Sequence, residues 1–146
     1  MGKLTLDGAS QIVNAALDRA KELGLKPLTV AVLDAGGHLV ALKRQDKSGI
    51  LRPDIAQGKA WGALGMGLGG RELARRAEHA PAFFTALASV SGGRMVPVAG
   101  GVLIKNHEGD VIGAVGISGD LPDNDEICAV YGIAQAGLEA EPGGAH

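Results

Sequence analysis

The chain has 146 residues, which suits one domain with one core, and 46% of them are hydrophobic against 21% charged, a globular rather than a disordered composition. A formal net charge of −2 gives no basic field for binding nucleic acid. Aromatic residues make up only 3%, so the core must be aliphatic and the stacking platforms of a single-strand binder are excluded.

The amino-terminal sequence carries no targeting pattern. Residues 1–10 lack the basic segment and apolar stretch that mark an export signal. No apolar run anywhere in the chain approaches the length of a membrane span. We therefore expect a cytoplasmic chain without a membrane partner.

The first third of the chain predicts a helix followed by a β-hairpin. Residues 5–23 place apolar side chains at helical spacing, and a glycine follows as the usual helix-ending residue. Residues 28–33 form a near-continuous apolar strand, residues 34–37 supply a turn, and residues 38–44 return with alternating polarity.

A second helix begins where Pro53 and Asp54 provide favourable first-turn residues. Its apolar residues follow helical spacing, and Gly58 and Gly62 lie four positions apart. Because both lack a side chain, one face of this helix is thin. We expect another stretch of backbone to pack closely there.

The middle of the chain continues as short helices. Residues 65–70 match Gly-x-Gly-x-x-Gly, but a helix precedes them where a dinucleotide-binding motif needs a strand. The motif therefore indicates a turn between helices. Further helices are predicted over residues 71–78 and 81–88.

The last third predicts a second hairpin and a final helix. The hairpin covers residues 100–118 with its turn at 106–109, and the helix covers residues 120–140. Helices do not alternate with single strands, which favours an α+β fold with helices packed on an antiparallel sheet. We expect a single domain over residues 1–146, ordered over about 4–138, with a flexible tail over 139–146.

Three charged residues are candidates for catalysis. Lys59 lies among small residues, where a long cation can bind an anion or become a base, although a surface lysine fits the same pattern. Asp125 and Glu126 open the final helix. They either stabilise its positive end, as first-turn acids do, or face a pocket as an acid or base.

His38, Arg44 and Arg94 are candidates for ligand binding. His38 opens a strand beside a Gly-Gly turn, so it is either a half-exposed strand residue or a ligand, for example to haem iron. Arg44 follows the first hairpin and Arg94 lies between two glycine pairs, and each could bind a carboxylate with two hydrogen bonds. The spacing of histidines and the single cysteine, Cys128, predict no metal site and no disulfide.

Four segments carry a family resemblance: AVLDAGGHLVALKRQD, DIAQGKAWGAL, GGRMVPVAGGVLI and DVIGAVGISGDLPDNDEICAVYGI. Their order resembles that of the GlcG/HbpS family over about residues 4–138. That family includes haem-binding or haem-degrading proteins and the carboxy-terminal domain of PduO-type proteins. The resemblance implies a profilin-like antiparallel sheet of about five strands with helices packed on it, and subunits that associate into dimers or higher oligomers. The positions in this chain that match recurrent family positions are Lys59, Gly100, Gly101, Asp125 and Glu126.

The resemblance implies binding of a small ligand, with haem or another tetrapyrrole as the candidate and no other cofactor. The residues expected to bind it are His38, Arg44, Arg94, Gly100 and Gly101. One alternative is a cofactor-independent isomerase, hydratase or lyase acting on a small carboxylated or carbonyl metabolite. In that enzyme Lys59 and Arg94 would hold an oxyanion and Glu126 would move protons, with Asp125 beside them. The other alternative is a structural or assembly role without a ligand.

Overall fold

The computed structural model describes residues 3–144. Within that range there are five helices and five strands. In chain order they are α1 (Leu6–Glu22), β1 (Thr29–Asp34), β2 (Leu39–Arg44), α2 (Arg52–Met66), α3 (Gly70–His79), α4 (Pro81–Val90), β3 (Gly101–Lys105), β4 (Val111–Ser118), α5 (Pro122–Gln135) and β5 (Glu139–Glu141). The predicted α+β class is confirmed.

The predicted antiparallel sheet of about five strands is confirmed, and its strand order is β2-β1-β4-β3-β5. The two hairpins lie side by side because β1 pairs with β4, from Thr29 opposite Ser118 to Asp34 opposite Gly113. This pairing brings the β1–β2 turn and the β3–β4 turn to the same end of the sheet. Arg44 pairs with Thr29 and therefore lies at the opposite end.

Helices cover both faces of the sheet. Val30 and Val32 point towards α1 and α5 and join the larger apolar core with Ile12 and Ile133. Leu33 lies on the opposite face of β1, points towards α2 and joins a smaller apolar core that consists mostly of alanines. Because both faces of β1 are buried, its sequence is continuously apolar rather than alternating.

Helix α2 approaches the sheet and the segment after α4 at backbone distance. A side chain at Gly116 of β4 would overlap the carbonyl of Ala56, and one at Gly58 would overlap the carbonyl of Arg94. The amide of Val96 donates a hydrogen bond of 3.2 Å to the carbonyl of Gly58. The thin helix face predicted from the sequence is therefore confirmed, and the backbone that fills it is residues 94–96.

The end of the chain differs from the prediction. Helix α5 ends at Gln135 rather than near residue 140, because Gly137 turns the chain with a φ of +75°. Residues 139–141, predicted within a flexible tail, instead form β5 and pair with the free edge of β3. The alternation Glu-Ala-Glu suits an edge strand, since Ala140 packs against the core while the exposed Glu139 and the half-buried Glu141 lie on the other face. The last predicted tail residues, 145 and 146, lie outside the described residues.

Candidate functional site

Lys59 and Asp125 form an ion pair inside the protein. Lys59 is only 4% exposed and Asp125 is fully buried. The ammonium of Lys59 donates hydrogen bonds to the Ile117 carbonyl at 2.8 Å and to Asp125 Oδ2 at 3.2 Å. The second carboxylate oxygen of Asp125 accepts from the amide of Asp120 at 3.1 Å. The pair joins α2, β4 and the start of α5.

Burial dominates the electrostatics of this pair. It lowers the pKa of Lys59, although the charge of Asp125 acts in the opposite direction. It raises the pKa of Asp125 to about 6, although the charge of Lys59 partly offsets the rise. Lys59 is therefore not the surface lysine that one interpretation of the sequence allowed. Asp125 is not a solvated first-turn acid either, because it faces the interior.

Two glycines pack directly against Lys59. A side chain at Gly100, which has a φ of +111°, would come within 3.0 Å of the ammonium nitrogen. Gly101 opens β3 and lies against the backbone carbonyl of Lys59. Three of the recurrent family positions, together with Asp125, thus form one packed cluster rather than an open cleft.

Glu126 pairs with Arg71, a residue that sequence reasoning did not single out. The side chain of Glu126 is 2% exposed, and Arg71 Nε donates to its Oε2 at 3.0 Å. Arg71 Nη2 also donates to Asp123 Oδ1 at 2.6 Å. The partners lie 55 residues apart in the chain, so no local spacing could have indicated them. The contacts tie α3 to the first turn of α5.

The Trp61–Arg94 cavity lies between α2, β1 and the segment after α4. Its volume is about 480 Å³. The guanidinium carbon of Arg94 lies 4.0 Å from the centroid of the Trp61 ring, and Arg94 Nε donates to the Ser91 carbonyl at 3.2 Å. The side chains that line the cavity include those of Leu33, Asp54, Ile55, Gln57, Trp61, Arg94 and Val96. Trp61 and Asp54 were not predicted as site residues.

His38 belongs to the turn between β1 and β2, where Asp34 fixes it. Asp34 Oδ1 accepts from the amides of Gly36 and His38 and lies 3.1 Å from His38 Nδ1. The hydrogen bond from the His38 amide is the main reason that the pKa of Asp34 is lowered. The imidazole is 80% exposed. Because Nδ1 faces the carboxylate, Nε2 is the ring nitrogen left to bind a ligand.

A second cavity, which we call the hairpin-end cavity, lies between the two hairpin turns and includes His38. Its volume is about 490 Å³. Leu4, Val111 and Ile112 supply apolar surface, and Lys3 supplies a cation. The carbonyl oxygen of the Asn106 side chain accepts from two backbone amides of the β3–β4 turn, which holds that wall in place.

Apart from the cluster of Lys59, Asp125, Gly100 and Gly101, the structure does not bring the predicted site residues together. His38 lies at the end of the sheet opposite to Gly101 and Arg44, and Arg44 Nη1 donates to the Ser48 carbonyl at 2.7 Å. The three residues proposed for an enzyme have three different partners: Lys59 contacts Asp125, Glu126 contacts Arg71, and Arg94 contacts Trp61. Their catalytic roles stay predictions.

Residues 3–144 contain neither a metal-binding cluster nor a helix suited to crossing a membrane. In that range no group of three or more histidine, cysteine, aspartate or glutamate side chains is placed to hold a metal ion. None of the helices between those residues combines the length and apolar character that crossing a bilayer requires. Cys128 is buried in α5, and burial raises its pKa to about 11, as suits an inert core thiol.

The chain is similar in sequence to a known protein family and to several characterised proteins. The family model described as "Haem degrading protein HbpS-like" matches residues 4–134. The corrinoid adenosyltransferase PduO of Citrobacter freundii is 30% identical over 131 residues, which are 90% of this chain but only 38% of PduO. Protein GlcG of Escherichia coli K12 is 38% identical over 116 residues, covering 75% of this chain and 77% of GlcG.

A solved structure resembles the chain over nearly its whole length. The crystal structure of a PduOC:heme complex superposes with a TM-score of 0.83 at 29% identity. The match covers 93% of this chain and 96% of the other. The likeness therefore extends over most of the fold.

Proposed function

The chain belongs to the HbpS-like family, and on this premise we propose that it binds a small planar ligand, with haem or another tetrapyrrole as the candidate. The observation that carries the proposal is the likeness to PduOC, which was crystallised with haem and matches this chain almost from end to end. Fold alone does not determine a ligand, so the residues of this chain have to be tested against haem directly.

The lining of the hairpin-end cavity supports the proposal because it includes candidates for the groups that contact haem. Haem needs an axial nitrogen or sulfur ligand for its iron, an apolar surface for the ring and cations for its carboxylates. His38 offers a free Nε2 whose orientation Asp34 fixes, and such a carboxylate partner makes an imidazole a better metal ligand. Leu4 and Ile112 provide apolar surface, and Lys3 is placed to pair with a carboxylate. When bound, haem would supply iron-centred chemistry.

Absorption spectroscopy tests this proposal. We expect haem to produce a saturable Soret band at one equivalent of the wild-type protein. His38→Ala should shift the band and weaken binding about tenfold or more, since it removes the axial ligand. His107→Ala is the matched control, because His107 is exposed in the neighbouring β3–β4 turn and does not line the cavity. The proposal fails if the wild type gives no saturable band, or if both variants behave like the wild type.

We also propose that the chain self-associates, as the family resemblance implied. Helix α4 supports this, because its sequence is apolar yet Phe83 is 54% and Val90 is 82% exposed. Such surface is costly in water unless another surface covers it. Light scattering should find a dimer or larger oligomer that Phe83→Asp dissociates. A wild-type protein that is monomeric at all concentrations would refute it.

A further inference from the structure

Arg94 and Asp54 carry opposite charges and line the same cavity, but they do not form an ion pair with each other. Both line the Trp61–Arg94 cavity. Within residues 3–144 neither has an ion-pair partner at 4.0 Å or less, so the two charged groups are also farther apart than that. An arginine that lines a cavity without a carboxylate partner retains its capacity for a two-bond interaction with a ligand anion.

The surroundings of Arg94 hold its guanidinium ready for such a ligand. Its backbone is fixed because its carbonyl packs on Gly58, and its Nε donates to the Ser91 carbonyl. Its guanidinium carbon lies over the Trp61 ring, 4.0 Å from the centroid, and this contact orders an arginine without consuming its hydrogen-bond donors. The two terminal nitrogens find no acceptor in the described part of the chain.

The rest of the cavity determines which chemical groups a bound anion can carry. Leu33, Ile55 and Val96 give the cavity apolar walls. Gln57 uses its amide nitrogen on the Pro53 carbonyl at 3.3 Å, so its amide oxygen remains an acceptor, beside the carboxylate of Asp54. The cavity thus presents a cation, an apolar wall and two acceptors. This combination suits a molecule with a carboxylate, a hydrocarbon body and a hydroxyl or amino group.

We propose that the Trp61–Arg94 cavity is a second ligand site, distinct from that of His38, and that it takes a small organic carboxylate with an apolar body. Arg94 binds the carboxylate, Trp61 positions Arg94, and Asp54 with Gln57 receives a donor group at the other end of the ligand. The site is not a haem site, because its lining contains no histidine, cysteine, methionine or tyrosine to ligate iron. This inference does not depend on the haem proposal.

The only tryptophan in the chain is Trp61, so its fluorescence reports directly on the cavity. The probes are cyclohexanecarboxylate and its neutral amide, cyclohexanecarboxamide, which have the same body and no interfering absorbance. We expect the carboxylate to change the fluorescence saturably and to bind about tenfold more tightly than the amide. A trans-4-hydroxyl group on the carboxylate should strengthen binding further, and Asp54→Asn should reduce that gain. Calorimetry measures the same affinities independently of fluorescence.

Substitutions separate this site from general effects of charge. Arg94→Gln should abolish the preference for carboxylate over amide, and Arg94→Lys should restore part of it. Arg19→Gln is the matched control, because Arg19 also lies over an aromatic ring, at 5.3 Å from that of Tyr131, but outside the cavity. His38→Ala should leave carboxylate binding unchanged. The inference is overturned if the wild type binds neither probe, binds both equally, or keeps its preference in Arg94→Gln.

The haem titration gives an independent result. Loss of carboxylate binding with an intact Soret band would refute the second site alone. A missing Soret band with intact carboxylate binding would refute the haem proposal alone. Because the two experiments monitor different residues, each proposal can fail without the other.

Discussion

The ammonium of Lys59 lies 3.2 Å from the carboxylate of Asp125, and almost no solvent reaches either group. Removing one partner leaves the other charge buried without compensation, which costs about 3–5 kcal/mol in comparable pairs. Near pH 7 we expect Asp125→Asn to cost less than this, about 1–3 kcal/mol, because burial already disfavours the charged carboxylate and the variant mainly weakens the hydrogen bond from Lys59. Lys59→Met should cost less, because the carboxyl group it leaves behind can bind a proton.

A double-mutant cycle in urea measures this coupling. The double variant Lys59→Met/Asp125→Asn should be more stable than the sum of the single losses predicts, since no unpaired charge remains. If the two single losses simply add, Lys59 and Asp125 do not interact in the way that their geometry indicates.

The raised pKa of Asp125 predicts a pH dependence of stability. The group titrates near 3.8 in an unfolded chain and at about 6 in the folded one, so between these values the folded state holds the extra proton. Its contribution is complete below about pH 4 and is lost as the pH rises through about 6, amounting to roughly 3 kcal/mol. The carboxyl carbon of Asp125 should show this midpoint by nuclear magnetic resonance.

Other carboxyl groups oppose this trend at lower pH. The pKa values of Asp34 and Asp120 are lowered by hydrogen bonds to their carboxylates, so their contribution is present above about pH 4 and lost as the pH falls. We therefore expect maximal stability in mildly acidic solution. The fall in stability between about pH 4 and 7 should flatten in Asp125→Asn, and an unchanged slope would contradict the assignment to Asp125.

The pairing of Glu126 with Arg71 should matter more than the exposed pairs on α3. Glu126→Gln removes a charge from a buried, hydrogen-bonded contact and should destabilise the protein by about 1–3 kcal/mol. Arg75→Gln is the control, because Arg75 pairs with Glu72 at the surface, where losses stay within about 0.5–1 kcal/mol. The urea midpoint of each variant, compared with that of the wild type, measures these losses. Equal shifts in the two variants would contradict the expectation.

Two glycines of α2 should respond oppositely to alanine. At Gly58 a methyl group meets the Arg94 carbonyl, so Gly58→Ala should destabilise by about 1–3 kcal/mol and displace the wall of the Trp61–Arg94 cavity. At Gly65 the nearest atom lies at 4.0 Å and the position is exposed, so Gly65→Ala should stabilise by about 0.5–1 kcal/mol. Thermal unfolding measures both, and a destabilised Gly65→Ala would show that helix propensity does not govern this position.

Local patterns in the sequence predicted most elements of the fold. Helical spacing identified α1 to α4, and apolar runs around Gly-containing turns identified both hairpins, because these features depend on neighbouring residues. The end of α5 escaped prediction for a physical reason. Glu139–Glu141 becomes a strand only because β3 offers an unpaired edge, which is a property of the assembled sheet.

The site residues show the same limit more sharply. Lys59 and Asp125 were both identified, but not as partners, since 66 residues separate them. Arg71 and Trp61 carried no signal of their own. The role of each of these residues depends on a contact between distant parts of the chain, and composition and local spacing do not predict such contacts.

The central ladder of the sheet has a consequence for how the molecule forms. β1 pairs with β4, so Thr29 must find Ser118 across most of the chain. Either hairpin can close within microseconds, but their docking encloses a loop that contains α2, α3 and α4 and carries a large entropic cost. We therefore expect folding to depend on one late, long-range encounter. During synthesis β1, whose two faces are both apolar, stays uncovered until β4 has left the ribosome.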